Sequence, residues 1–511
     1  MPVSLRPASC EPVALATLGA LLSLPATEPG PLVSGVTHAS DEVLPGDLYA
    51  ALPGSRRHGA EFVGQTAEAG AVAVLTDAAG AEAAAAAGLP ALIVDDPRAV
   101  LGLVADRVYG EPSRELVLIG ITGTAGKTST AYLIESGLRA AGHVTGIIGT
   151  VETRLGDLRV TSKRTTPEAT DLHALLAVAK ENGVTAVVME VSSHALALGR
   201  VGGVRFAVAG WTNFGLDHLD FHASTEEYFA AKASLFDGRA RSEVLNLDDP
   251  ALTPLIQPTT VTYSASGDTK ASWYAESVSG GYDQQFTAYG PGGAPVRAGV
   301  ALAGRHNVAN ALLALAALTE VGVDPQTAAD GIAACPGVPG RLERVPSPAN
   351  SRRDVVGVVD YAHKPDAIVA ALKALRELAD YRSGRLICVI GAGGDRDRGK
   401  RPIMGKAAAD GSDLLIVTDD NPRTEDPALI RAEVIAGVPT PAEVVEIAGR
   451  RQAIDEAVRR ARTGDVIAVL GKGHETGQEV GTEVLPFDDR VELADALTAA
   501  ALADAREGEP A

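Results

Sequence analysis

The sequence predicts an α/β protein of three domains: a small N-terminal α/β domain over residues 1–112, a central parallel-sheet domain over 113–337 and a C-terminal α/β domain over 338–511. Three observations carry that prediction. Apolar, β-branched runs alternate with amphipathic helical stretches, as a parallel sheet with crossover helices requires. A glycine loop ending in Lys-Thr breaks the run Leu116 to Ile121 and opens a helix. After residue 338, four apolar runs each end in a polar, mostly glycine-bearing loop, the pattern of a sheet that presents ligand loops beyond its strand ends.

In the first domain, Val13 to Leu24 has the apolarity of a signal-peptide core, but its basic flank is a single Arg6 and Glu11 intervenes. A structured N-terminal segment is the better reading. Gly35-Val36-Thr37 reads as a strand, Pro45-Gly46-Asp47 as a turn, and Leu48 to Leu52 as a second strand. A helix with Phe62, Val63 and Ala67 on one side stops at Gly70, and Ala71 to Leu75 is the next strand. Glu111-Pro112-Ser113-Arg114 has the composition of a linker.

The central domain starts with the phosphate loop Gly123-Thr124-Ala125-Gly126-Lys127-Thr128-Ser129, followed by a helix with Leu133, Ile134, Gly137, Leu138 and Ala141 on one face. Glycines let backbone N–H groups approach phosphate oxygens, the helix N-terminus adds positive potential, Lys127 neutralises outer phosphates and Thr128 offers a hydroxyl to Mg²⁺. The loop is shorter than the usual Walker pattern, since Ile121 stands where that pattern has its first glycine. Ala186 to Met189 is a buried strand delivering Glu190 at its C-terminal end, and Phe206 to Ala209 leads towards Asn213, Asp217 and His218. Ligands of open α/β sheets gather there.

In the third domain, Val355–Val359 ends at Asp360, Leu386–Ile390 at a glycine loop carrying Arg396, Leu414–Val417 at Asp419-Asp420-Asn421-Pro422-Arg423, and Val466–Leu470 at Gly471-Lys472-Gly473-His474-Glu475. These loops form a second ligand rim. The Ala-rich tail from Val491 reads as a helix.

Composition narrows the function. A formal charge of −20 argues against nucleic acid or an anionic membrane as a main partner. Three scattered cysteines, Cys10, Cys335 and Cys388, lack metal-ligand spacing and suit a reducing cytosol as small buried hydrophobes. No segment reaches the roughly 18 apolar residues that span a bilayer. A soluble, cytoplasmic monomer is expected.

Taken in order, Gly123 to Thr128, Glu190-Val191-Ser192-Ser193-His194, Asn213 with Asp217-His218, Tyr228-Phe229-Ala230-Ala231-Lys232, Gly340-Arg341-Leu342-Glu343 and Asp360-Tyr361-Ala362-His363 resemble the Mur ligases over nearly the whole chain. The resemblance implies a small N-terminal α/β uridine-nucleotide domain, a central P-loop parallel-sheet ATPase domain and a C-terminal Rossmann-like α/β domain. With Asp420-Asn421-Pro422-Arg423, it implies ATP-dependent addition of diaminopimelate to the D-glutamate side chain of UDP-MurNAc-L-Ala-D-Glu. The substrate carboxylate is expected to pass through an acyl phosphate.

By that resemblance Lys127, Glu190, His218 and Lys232 are catalytic, and Thr128, Glu190, His218 and Lys232 surround Mg²⁺. Lys232 matches a lysine carbamoylated by CO₂. Asn307 and Arg341 join the phosphate loop in holding ATP. His38, Ser40, Ser55, Arg56, Arg57, Thr165, Thr166, Ser192 and Arg200 are the candidates for the UDP-MurNAc-dipeptide. Arg396, Asp420, Asn421, Pro422, Arg423, Gly471 and Glu475 are those for diaminopimelate, Arg423 gripping the distal carboxylate while Asp420, Asn421 and Glu475 receive the ammonium. Lysine is expected to leave Arg423 buried and unpaired, a penalty of more than about a thousandfold. Two departures stand out. Ala125 replaces the usual asparagine of the loop, which predicts a looser turn, and Ala39-Ser40-Asp41 replaces a usual Asp-Ser-Arg. Hinge closure between domains is expected to bring amine to acyl phosphate. A folylpolyglutamate synthetase of the same superfamily and a nucleotide-switch protein stay open as alternatives.

Overall fold

The computed structural model describes residues 6–25, 29–54, 56–160, 162, 164–219, 221–348 and 353–506. Two compact units result: Met1–Ala275 with Ala288–Val296 and Ala309–Ile332, and Glu276–Thr287 with Arg297–Val308 and Ala333–Ala511.

Besides the two-stranded pair Val13–Ala14 with Leu32–Val33, the first unit contains two larger sheets among the described residues. The smaller is four parallel strands in chain order, Gly35–Thr37, Asp47–Ala51, Ala73–Thr76 and Ala91–Ile93. The N-terminal apolar run folds as the two-residue strand Val13–Ala14 and the helix Leu15–Leu21, which buries Leu15 and Leu18 in this sheet's core. Helix Pro97–Val108 closes the domain. It starts sharply because the Asp96 carboxylate accepts the Arg98 and Ala99 N–H groups and Pro97 needs no N–H partner at the first turn. The expected linker is instead packed: Pro112–Arg114 is a 3₁₀ turn with Pro112 and Ser113 buried, and the Ser113 hydroxyl accepts the Arg205 N–H.

In the larger sheet the strand Val117–Thr122 lies between Ala186–Glu190 and Phe206–Trp211, parallel to both. The registers Glu190↔Ile121 and Trp211↔Thr122 make the three strands end level. Whatever follows each strand therefore meets at one edge. The sheet continues through Thr145–Ile148 on one side and Ala240–Asn246, Val261–Ser264 and Trp273–Ser279 on the other. Along Trp273–Ser279, Asp283–Tyr289 and Pro295–Ala301 the chain passes between the two units. By this division Glu276–Thr287 and Arg297–Val308, which precede the Pro339 boundary that the sequence suggests, group with the second unit.

The second unit carries a six-stranded sheet ordered Glu343–Val345, Val356–Asp360, Val466–Leu470, Leu386–Ile390, Leu414–Val417, Val444–Glu446; only the first pair is antiparallel. Its inner strands bury alternate residues on opposite faces. Val358, Cys388 and Ala468 share a core with helix Pro365–Tyr381, while Val359, Val389 and Val469 share one with Arg450–Arg460 and Asp489–Arg506. Full burial on both faces explains why these strands read as unbroken apolar runs. The hairpin Gly477–Val480/Glu483–Pro486, which the sequence reading does not include, follows the last loop of the rim. Cys335 and Cys388 are buried and Cys10 half-buried, all three as free thiols. Among the described residues, no helix is long and apolar enough to cross a membrane.

Candidate active site

The phosphate loop is held by two glycines that no other residue replaces. Gly123 has φ +143°, and a Cβ there would sit 1.9 Å from the Thr212 hydroxyl; Gly126 has φ +82°, and a Cβ would sit 2.6 Å from Asn310 Oδ1. Gly126→Ala is expected to cost about 1–2 kcal/mol in backbone strain alone. Both the thermal unfolding midpoint and calorimetric binding of a non-hydrolysable ATP analogue should fall.

Helix Lys127–Ala140 starts at the loop's end. The Lys127 ammonium donates to the carbonyls of Gly123 at 2.8 Å and Thr124 at 3.2 Å. The Thr128 hydroxyl donates to Glu190, which is 2 % exposed and also accepts the Thr150 N–H at 2.8 Å and hydroxyl at 3.2 Å. Ser129 is half-buried in the first helical turn. At Ala125, where the sequence suggests a looser turn, the backbone has side-chain partners. The Asn213 carboxamide accepts the Ala125 N–H and donates to the Ala125 carbonyl, both at 3.1 Å, so an amide from the neighbouring strand end ties the turn.

Lys232, on helix Thr225–Ala233, is 1 % exposed and donates to the same Gly123 carbonyl at 2.9 Å. Burial and then the Lys127 charge push its amine down to about 6, with Asp217 pulling weakly the other way. It is therefore largely uncharged at neutral pH. His218 has φ +54°, its Nε2 lies 3.4 Å from Asp217, and its ring stands edge-on to His194 at 4.8 Å. His222 packs beneath, fully buried, against Phe221, His194 and Tyr228.

Four of the dipeptide candidates form one cluster in the first unit. Thr165 shares a hydrogen bond with Thr150. The Thr166 hydroxyl donates to the Glu190 carbonyl and accepts the Ser192 N–H. Ser192 caps helix Ser193–Ala197, and Arg200 donates to the Thr166 carbonyl and pairs with Glu168 at 2.7 Å. His38 is bonded through Nδ1 to Thr170, at the start of the helix that follows Glu168. Among the described residues, no hydrogen bond or ion pair joins the other first-domain candidates to this cluster. Ser40 is half-buried, Arg56 exposed, and Arg57 exposed in a pair with Glu61 over the Phe62 ring. Ser55 lies outside the described residues.

The second unit holds its own cleft, 330 Å³, among whose lining residues are Tyr361, Arg396, Asp420, Arg423, Gly471 and Glu475. Asn421 also lines it, with Pro422 buried behind. Two expectations change here. The Asn421 carboxamide is already satisfied: Oδ1 accepts Lys472 Nζ at 2.8 Å and the Glu479 N–H at 3.0 Å, and Nδ2 donates to Glu475 at 3.1 Å. Asn421 therefore braces Lys472 and Glu475 and has no free carboxamide oxygen for an ammonium. Arg423 is not buried and unpaired either, because its Nε contacts Glu479 at 2.5 Å and its side chain is 21 % exposed. The unpaired-charge argument against lysine thus loses its basis.

The sequence reading missed Lys472, fully buried within 3.5 Å of Asp420 and 3.2 Å of Glu475. Its signal was the glycine-flanked string it occupies, but a lysine there reads as solvated until the rim closes around it. Glu168, Thr150 and Glu479 gave no sequence signal. Arg341 stacks on Tyr361 at 4.8 Å between ring and cation, and Asn307 spends Nδ2 on the Ala303 carbonyl; both belong to the second unit.

Comparison with known proteins matches residues 32–109 to the model "Mur ligase family, catalytic domain", 121–318 to "Mur ligase middle domain" and 340–473 to "Mur ligase, glutamate ligase domain". A Streptomyces coelicolor protein named UDP-N-acetylmuramoyl-L-alanyl-D-glutamate–2,6-diaminopimelate ligase is 52 % identical over 96 % of this chain and 98 % of its own. One of the same name from Corynebacterium glutamicum is 48 % identical over 88 % of this chain and 89 % of its own. A solved structure of that name is 32 % identical, with TM-score 0.69 over 94 % of this chain and 96 % of its own.

Proposed function

The chain belongs to the Mur ligase family, and from that premise we propose that it joins diaminopimelate to the D-glutamate side-chain carboxylate of UDP-MurNAc-L-Ala-D-Glu. The reaction is driven by ATP and serves peptidoglycan synthesis. The observation that carries the amine assignment is the second unit's cleft, where arginines and carboxylates, Arg396 and Arg423 with Asp420 and Glu475 among them, line one space. An amino acid with a charged head at each end suits that lining.

A carboxylate and an amine do not condense unaided near neutral pH, so the carboxylate first takes the γ-phosphoryl group as an acyl phosphate. Alignment and charge cancellation are what that transfer needs. The loop N–H groups and the N-terminus of helix Lys127–Ala140 hold the phosphates, and Lys127 swings from its loop carbonyls to the outer ones. Thr166, Ser192 and Arg200 orient the dipeptide, with Glu168 fixing Arg200.

Among the described residues, no three His, Cys, Asp or Glu side chains are grouped to hold a metal. Mg²⁺ needs no such cage, since it is commonly held by one or two carboxylates, water and the nucleotide's own phosphates. The Thr128 hydroxyl on Glu190 supplies a fitting oxygen pair. When bound, Mg²⁺ neutralises the charge that develops on the transferred group. The Lys232 amine also fits carbamoylation: buried and largely neutral, it is nucleophilic towards CO₂, and the anion formed would be attracted by the Lys127 charge that now opposes it.

The test is to incubate the protein with ATP, UDP-MurNAc-L-Ala-D-Glu and either diaminopimelate or lysine, and to follow phosphate and tripeptide. Diaminopimelate-dependent release of both is expected. Absence of ATP turnover with the full substrate set overturns the proposal.

A further inference from the structure

We propose that Glu479 is a specificity-setting residue of the amine cleft, occupying the Nε edge of Arg423 until a ligand's distal carboxylate displaces it. The inference rests on the reading of that cleft as the diaminopimelate site.

Glu479 lies on the hairpin Gly477–Val480/Glu483–Pro486. The hairpin is laced to the motif loop through backbone and side chain. The Arg423 N–H donates to the Glu479 carbonyl at 3.0 Å, the Gly481 N–H to the Arg423 carbonyl at 2.8 Å, and Gln478 Nε2 to the Asp420 carbonyl at 2.6 Å. These bonds hold Arg423 at φ +52°, a conformation its Cβ disfavours. The backbone of Arg423 is therefore preset by the hairpin.

Its guanidinium is preset as well. Nε meets the Glu479 carboxylate at 2.5 Å and Nη1 donates to the Gly394 carbonyl at 2.9 Å. A carboxylate grips an arginine with two parallel bonds, using either the Nε/Nη2 edge or the Nη1/Nη2 edge. Glu479 holds the first, and Gly394 shares the second. A distal carboxylate on the first edge must evict the Glu479 side chain, which is 45 % exposed and has solvent to turn into. Exposed pairs of this kind are weak, so the handicap is about two- to fivefold.

For lysine the same residue acts in the opposite sense. Lysine lacks a distal carboxylate, so the Arg423–Glu479 pair survives its binding and no buried cation is stranded. The remaining carboxylate capacity of Glu479 attracts lysine's terminal ammonium. Glu479 thus narrows the preference for diaminopimelate that Arg423 creates.

The experiment is steady-state tripeptide synthesis by the full-length enzyme with diaminopimelate or lysine, comparing wild type, Glu479→Gln, Arg423→Ala and the double variant. Glu479→Gln keeps the backbone bonds and the side-chain size. Its KM for diaminopimelate should fall about two- to fivefold, the change appearing in KM rather than kcat, and its KM for lysine should not fall. In the Arg423→Ala background the same substitution should leave KM for diaminopimelate where it was. Glu479→Ala gives an independent check, with the same direction expected. An unchanged or higher KM for diaminopimelate in both Glu479 variants overturns the latch while leaving the cleft assignment intact. If Arg423→Ala leaves the diaminopimelate-to-lysine ratio unaltered, the cleft assignment itself falls and the latch with it.

Discussion

Lys232→Ala is expected to abolish ligation, with kcat down by more than about 10³-fold, the scale at which removal of a preorganised charge from a reacting centre is felt. By position alone Lys232 is one more lysine on a short helix. Its surroundings are what set it apart: it shares the Gly123 carbonyl with Lys127 and is almost wholly buried. A merely structural lysine in that setting would be a liability, since an apolar side chain fits there without a polar amine to desolvate or a proton to give up on folding. Lys232→Met should therefore unfold at a higher temperature than the unmodified protein while being equally inactive.

The pH dependence gives a further check, measured in CO₂-free buffer. The folded-state pKa of Lys232, about 6, lies below its ordinary 10.5. The unfolded chain thus binds the proton more readily, so stability declines as pH falls from 10.5 towards 6 and is flat in this respect below. Lys232→Met lacks that component. Wild-type activity should also drop when CO₂ is removed and return with bicarbonate. An active Lys232→Ala enzyme sinks the carbamoylation reading.

Lys127→Ala should lower ADP formation by about 10³-fold, with KM for ATP raised, because the outer phosphates lose their only loop cation in a site where charge cancellation is the main catalytic contribution. Lys127→Arg should recover little. The ammonium works as a point charge reaching from the first helical turn, and the broader guanidinium has to enter a loop closed by the Thr124–Tyr228 and Ala125–Asn213 contacts. A second consequence is local. Since Lys127 is the second-largest cause of the depressed Lys232 amine, its removal should raise that pKa and slow CO₂ uptake, visible as a weaker ¹³C carbamate signal. Normal ADP formation by Lys127→Ala would place the nucleotide elsewhere.

Part of this centre was legible because its signals are short-range. The strand before Gly123, the two glycines, Lys127 and the helix behind them are contiguous, and Glu190 stands at the end of an unmistakable buried strand. The level strand ends made their convergence a matter of topology. The boundaries read less well. Pro112 and Ser113 look like linker residues and are buried, because the helix packing that covers them comes from sequence far away.

Four side chains mark the limit of such reading. Arg200 finds Glu168, His38 finds Thr170, Lys472 finds Asn421 and Arg423 finds Glu479, across separations of 32 to 132 residues in three of those pairs and 56 in the last. Nothing local in any of the eight announces its partner. The amino-acid sequence alone determined the α/β class, the phosphate cradle and which residue types stand at each strand end, since periodicity and turn chemistry are written within a few consecutive positions. Only the tertiary structure decided that the Lys232 amine is buried and its pKa pushed down, that Asn421 is a brace and that Arg423 already has a carboxylate, because pKa and pairing depend on burial and on neighbours the chain brings together from a distance.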